Sequence, residues 1–189
     1  IEISYNKMNV FKNTLYCYLT IGFLLLLSFF IRIFISSSQR KEHFFDRLGK
    51  LFKVVLFVIF IYHGIGLSLR WYISGHAPWS NGYEAVVFIA WATMIAGFIF
   101  SSKNLVILAG TAILASLMIF VTEMNLLDPE ITPLQPVLKS YWLMIHVAVI
   151  TSSYGFLGLG AILAIFNLTL YIFRNNKNGQ LLTLHINEL

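Results

Sequence analysis

Residues 21–27 read Ile21-Gly22-Phe23-Leu24-Leu25-Leu26-Leu27, and they sit at the centre of an apolar run from about Asn13 to Ile35. A helix needs about 20 predominantly apolar residues to cross the hydrocarbon core of a bilayer, and this run meets that length. Four more stretches qualify or nearly qualify: about Leu51 to Trp71, Tyr83 to Phe100, Leu105 to Met124, and Tyr141 to Phe173. The last is too long for one perpendicular span and is expected to tilt or to extend beyond the membrane. Composition agrees: 58% of the 189 residues are hydrophobic and 11% are charged, with a mean hydropathy of +0.79. Soluble domains are about 45–50% apolar and about 25% charged, and a chain this short cannot hide the excess in a water-surrounded core. The expected fold class is all-α, a polytopic transmembrane bundle of about five helices.

Charge placement sets the expected topology. The net charge of +5 comes from Lys and Arg in short segments between apolar runs, which is how membrane proteins fix orientation and not the basic patch of a nucleic-acid binder; no nucleic-acid partner is expected. The densest basic cluster is Gln39-Arg40-Lys41-Glu42-His43 with Arg47, Lys50 and Lys53. Lys103 and the pair Arg174 and Lys177 fall on the same side if each helix crosses once. By the positive-inside rule that side, including loop 37–50, is cytoplasmic, and loops 74–82 and 125–140 face outward (periplasmic side). Lys7 and Lys12 lie on the outer side, against the trend. Cys17, the single cysteine, lies within an apolar run, so no disulfide and no CxxC or CxxCH motif is present. Arg32 near the cytoplasmic end of the first helix is placed to snorkel. The chain starts at Ile1 without signal-peptide character and reads as a piece of something longer, with Leu181 to Leu189 as the start of a further element.

Two stripes of small residues point to close helix packing: Ala148, Thr151, Gly155 and Gly158, and Ala109, Ala112 and Ser116. Small residues at three- and four-residue spacing let backbones approach in lipid. No internal repeat or flexible linker divides the chain.

Polar residues at membrane depth are the candidates for chemistry. The most unusual segment is Trp71-Tyr72-Ile73-Ser74-Gly75-His76-Ala77-Pro78-Trp79-Ser80-Asn81-Gly82-Tyr83-Glu84. Pro78 and Asn81-Gly82 make it turn-rich. Ser80 or Asn81 is expected to cap the third helix, with Glu84 near its positive end. An interfacial aromatic belt accounts for Trp71 and Tyr72, whereas a belt has no need of His76 and Trp79 in a compact turn. Arg70 is placed to pair with Glu84 or with the propionate of a ligand. Glu123, Asp128 and Glu130, followed by the Pro129, Pro133 and Pro136 region, read as a solvated loop. His146 lies about 8–9 Å below the outer start of the fifth helix at about 1.5 Å per residue, just after Tyr141 and Trp142. Both a hydrogen bond to a neighbouring helix and ligation of haem iron are open to it. His63 lies deeper, in the second helix, and structural hydrogen bonding, proton handling and ligation all remain open. His43 is expected to be solvated, and His185 has no assigned place.

Gly75-His76-Ala77-Pro78-Trp79-Ser80-Asn81-Gly82-Tyr83-Glu84 followed by Phe88-Ile89-Ala90-Trp91, together with Ser140-Tyr141-Trp142-Leu143-Met144-Ile145-His146-Val147 continuing to Ser153-Tyr154-Gly155-Phe156, resembles the CcsA/ResC-type cytochrome c biogenesis proteins of the system II cytochrome c synthases. The resemblance covers roughly residues 55 to 173. It implies haem binding and export, and presentation of haem b, ferrous and in transit, at the outer face of the cell's inner (plasma) membrane to the CxxCH thiols of apocytochrome c. It also implies a CcsB/ResB-like partner, fused or separate, with haem lyase/synthase activity belonging to the full-length protein and not to this stretch alone. By position in the motif His146 resembles the first of two outward-facing axial ligands. His76, Trp79, Trp142, Arg70 and Glu84 are the accompanying haem-site or loop candidates, and no family ligand matches His63. The family's tryptophan-rich signature and second histidine are absent and are expected beyond Leu189. Residues 51–189 then form the first portion of the haem-handling domain, with 1–50 reading as the tail of a CcsB-like part. Two other readings stand beside this one: a non-catalytic assembly subunit that docks a partner through its aromatic loop, and a transporter fragment with His63 and His146 lining a path.

Overall fold

In a computed structural model of the chain, residues 5, 7–35, 39–101, 105–124, 126–131 and 140–172 are described. Lys103, Asn125, Pro133, Pro136, Arg174, Lys177, His185 and the Leu181 to Leu189 tail lie outside the described residues. Five long helices follow in order: α1 Val10–Ile35, α2 Gln39–Ser74, α3 Gly82–Phe100, α4 Leu105–Glu123 and α5 Tyr141–Ile172. All five are long and apolar enough to cross a membrane, and no strand occurs among the described residues. The all-α transmembrane bundle expected from the sequence is the observed architecture.

The largest departure is α2, which begins at Gln39 and not near Leu51. Hydropathy marks only the part of a helix that lipid covers. The residues before Leu51 include Arg, Lys, Glu and Leu, which favour helix, so the helix runs on past the apolar stretch. Most of the expected loop 37–50 is therefore helical. α5, at 32 residues, is about 48 Å long at 1.5 Å per residue, more than the ~30 Å hydrocarbon core, as its sequence length required.

α4 is the centre of the bundle. It lies against α1 on one side and α3 on the other; α2 flanks α1, and α5 lies on α3 with a lesser contact to α4. Ala109, Ala112 and Ala115 of α4 are fully buried. Gly22 of α1 faces them so closely that a Cβ there would sit 3.2 Å from Ala112 Cβ and 3.3 Å from the Ala109 carbonyl. On α5, a Cβ at Gly155 would come within 3.2 Å of the Ile89 carbonyl of α3. The two small-residue stripes are thus where helices approach. In lipid, where apolar burial gives no hydrophobic drive, such close van der Waals contact is what holds helices together. Outward faces carry Phe23, Val54, Val58, Leu117, Val149 and Leu157, all exposed. Cys17 is exposed as well, on the lipid-facing side of α1.

Candidate functional site

The α2–α3 connection folds around one buried ion pair. α2 ends at Ser74 because Gly75 takes a left-handed conformation, φ 71°, which glycine adopts without the Cβ clash of other residues. The turn that follows brings the start of α3 beside the last turns of α2. Arg70 Nε donates to Glu84 Oε1 at 2.9 Å, with side chains only 4% and 0% exposed. The other carboxylate oxygen, Oε2, accepts from the Ser80 hydroxyl at 2.7 Å and from the Ser80 amide at 3.0 Å. Asn81 is the N-cap of α3, its Oδ1 accepting the Glu84 amide at 2.8 Å. Arg70 is held further by donating to the Pro129 carbonyl at 2.9 Å and by lying 4.9 Å over the Tyr83 ring. Pairing and extra donors together are what a charge needs to be tolerated away from water. Nearby, burial pushes the Tyr5 hydroxyl above the usual phenol range, and the positive Arg70 pulls the other way.

The same network fixes the protonation of His76. Its Nδ1 lies 3.0 Å from Ser80 Oγ and 3.3 Å from the Ala77 carbonyl. Ser80 spends its only hydroxyl proton on Glu84, so it meets His76 with a lone pair, and a carbonyl can only accept. Nδ1 must therefore carry the proton.

Trp79 reaches from this loop to α5. Its indole Nε1 donates to the Met144 carbonyl at 3.2 Å, and its ring packs on Phe88 with centroids 4.8 Å apart and on Trp71 at 5.8 Å. Trp79 also lines an open groove of about 520 Å³ along α5, whose walls include Ile145, Val149, Ser153 and Phe156 and are almost wholly apolar. Ser152 and Ser153 turn their hydroxyls back to α5's own carbonyls, which leaves the groove walls apolar. His146 is exposed and makes no hydrogen bond among the described residues. At about 100° per residue its direction lies about 20° from that of Ser153, two turns nearer the outer end. It therefore lies beside the groove's outer end, next to the lining residue Ile145. Trp142 is 82% exposed.

His63 is elsewhere. It is fully buried and faces α1, with Nδ1 3.5 Å from the Tyr18 hydroxyl and Phe11 edge-on at 5.7 Å. Among the described residues its Nε2 has no hydrogen-bond partner, and neither does Trp91 Nε1.

The structure thus joins Arg70, Glu84 and His76 in one loop network, sets Trp79 between that loop and α5, and leaves His146 exposed on α5 next to the groove-lining Ile145. It does not bring His63 to His146, nor Trp142 into contact with the loop. Arg70 is committed to Glu84, the first of its two expected partners. Ser80, Tyr18 and the Pro129 carbonyl were not singled out as partners of these side chains; a backbone carbonyl carries no sequence signal, and the Tyr18–His63 pair spans 45 residues.

The fold is that of a multi-pass helical membrane protein with an apolar groove along α5 beside a hydrogen-bonded aromatic loop. Residues 79–187 match the family described as Cytochrome C assembly protein, and the chain belongs to that family. It is 40% identical over 182 residues to protein NrfI of Wolinella succinogenes, an alignment that covers 95% of this chain and 19% of NrfI. It is 34% identical over 147 residues to the cytochrome c biogenesis protein CcsA of Guillardia theta, covering 70% of this chain and 48% of that protein. With CcsA of Chlorella vulgaris it shares 40% identity over 114 residues, 57% of this chain and 35% of the relative. The chain therefore spans about a fifth of NrfI and about half or less of these CcsA proteins. Membership places the chain among cytochrome c assembly proteins.

Proposed function

We propose that this chain is the first portion of a module that binds haem and presents it at the outer face of the membrane for attachment to the CxxCH thiols of apocytochrome c, with His146 as one axial ligand. What supports the reading is an exposed imidazole, without a hydrogen bond among the described residues, next to the lining residue Ile145 of an almost wholly apolar groove. The residues fit the group: a ring nitrogen suits haem iron, and ~300–1,000 Å³ with mostly apolar walls is the usual character of a cofactor site. Bound haem would supply the vinyl carbons to which the cysteine sulfurs join. His146 holds the iron, Trp79 and Phe156 wall the ring system, and Ile145 and Val149 exclude water. Arg70 and Glu84 act on the loop and not on a propionate, since they pair with each other and spend Arg70 Nη2 on the Pro129 carbonyl and Glu84 Oε2 on Ser80.

The haem is haem b in its ferrous state, in transit, and the membrane is the inner (plasma) membrane with loops 74–82 and 125–140 outward. A CcsB/ResB-like component, fused or separate, is the membrane partner. Residues 1–50 belong with that component. The aromatic-loop docking reading loses ground because His76, Ala77 and Pro78 are buried inside the loop, and the two-histidine path because His63 and His146 face different helices.

The test is haem content of the purified full-length protein. His146→Ala should lower bound haem at least fivefold and abolish holocytochrome formation, while Phe23→Ala, on the outward face of α1, leaves both near the wild-type level. Equal haem content in the two variants would remove His146 from the site.

A further inference from the structure

The Trp79 indole does more than wall the groove: we infer that its N–H is a tether which sets the rotation of α5 and so aims His146, an inference that rests on the ligand reading above. Trp79 is fixed on the loop side. Its ring is held against Phe88 and Trp71, its amide donates to the Ala77 carbonyl at 2.9 Å, and the next residue is bound through both its amide and its hydroxyl to the buried Glu84 carboxylate. On the far side the indole N–H ends on the carbonyl of Met144, two residues before His146.

α5 has little else to resist rotation there. Thr151, Ser152 and Ser153 direct their hydroxyls to carbonyls of α5 itself, and the tight contact at Gly155 lies more than two turns further down. Tyr141, Trp142 and Ile145 are exposed. A helix about 10–12 Å in diameter carries its side-chain tips on a radius of roughly 5–6 Å, so a turn of about 30° moves an imidazole by about 3 Å. Metal–ligand bonds tolerate only about 0.2 Å. Small freedom in α5 is therefore large freedom at the ligand, and the loop network around Glu84 reaches the haem site through this one indole. Trp79 is a positioning residue, not a catalytic one.

Trp79→Phe keeps a ring in place and deletes only the donor. Two readouts on the full-length protein test the tether. In haem-free protein, hydrogen exchange of the amides at 142–148 should rise about three- to tenfold, the scale of one lost hydrogen bond. In haem-loaded protein, the reduced spectrum should lose low-spin character per haem bound, and added imidazole should restore it. If Trp79→Phe retains no haem, purification with imidazole should recover loading; failure to recover it, with exchange at 142–148 unchanged, overturns the tether. Unchanged exchange and an unchanged spectrum in Trp79→Phe, alongside a lost Soret band in His146→Ala, overturn the tether alone. An unchanged Soret band in His146→Ala overturns the ligand reading, and the exchange measurement still decides the tether.

Discussion

Replacing Glu84 with alanine takes away the carboxylate that satisfies Arg70 Nε, the Ser80 amide and the Ser80 hydroxyl at 2.9, 3.0 and 2.7 Å. Counting each as a hydrogen bond to a charged group, about 1.5–3 kcal/mol apiece, overshoots, because Arg70 keeps the Pro129 carbonyl and whole proteins are stable by only about 5–15 kcal/mol. The governing quantity is the penalty for a buried, unpaired guanidinium, about 3–5 kcal/mol when one partner of such a pair is removed. Arg70→Met should cost a comparable amount. The double variant Arg70→Met with Glu84→Ala should cost less than the sum, with a coupling of about 2–3 kcal/mol, near the top of the range for residues in direct contact. SDS-driven unfolding of the full-length protein in mixed micelles, followed by circular dichroism, measures all four corners of the cycle. Additive losses, or a Glu84→Ala loss below about 0.5 kcal/mol, the ordinary effect of an unimportant surface change, would show that the pair is not a buried unit.

Asn81→Ala removes the side chain that caps α3 at the Glu84 amide and should cost about 1 kcal/mol in the same unfolding assay, with Asn81→Ser close to neutral. Gly155→Val puts atoms where the Ile89 carbonyl and Thr93 amide leave 3.2 Å to a first Cβ; overpacking of about 1–3 kcal/mol should appear as loosening of α5 in protease digestion. In a protein stripped of other cysteines, His146→Cys should react in intact cells with a membrane-impermeant maleimide and Arg47→Cys should not; the reverse pattern would invert the topology.

The spans were legible because lipid demands an unbroken apolar run, and α3 and α4 start and stop within a residue or two of their apolar limits. The extension of α2 back to Gln39 was not, since a helix outside lipid has no apolar requirement to advertise it. Within the loop, the Asn81 cap and the Arg70–Glu84 pair could be anticipated: cap chemistry is local, and a short turn between antiparallel helices returns the chain to the same height. Ser80's bridge from Glu84 to His76 needed the turn's actual backbone. Tyr18 against His63 and Trp79 on Met144 depend on helix register across 45 and 65 residues, which local pattern does not encode.

The axial ligation of iron by His146 is tested most directly by the reduced absorption spectrum of the full-length protein, wild type beside His146→Ala and His63→Ala, each with and without imidazole. Axial ligation by His146 requires a diminished Soret band in His146→Ala that imidazole partly restores, and a wild-type band in His63→Ala, whose ring is enclosed by α1. A wild-type band in His146→Ala without imidazole would contradict it.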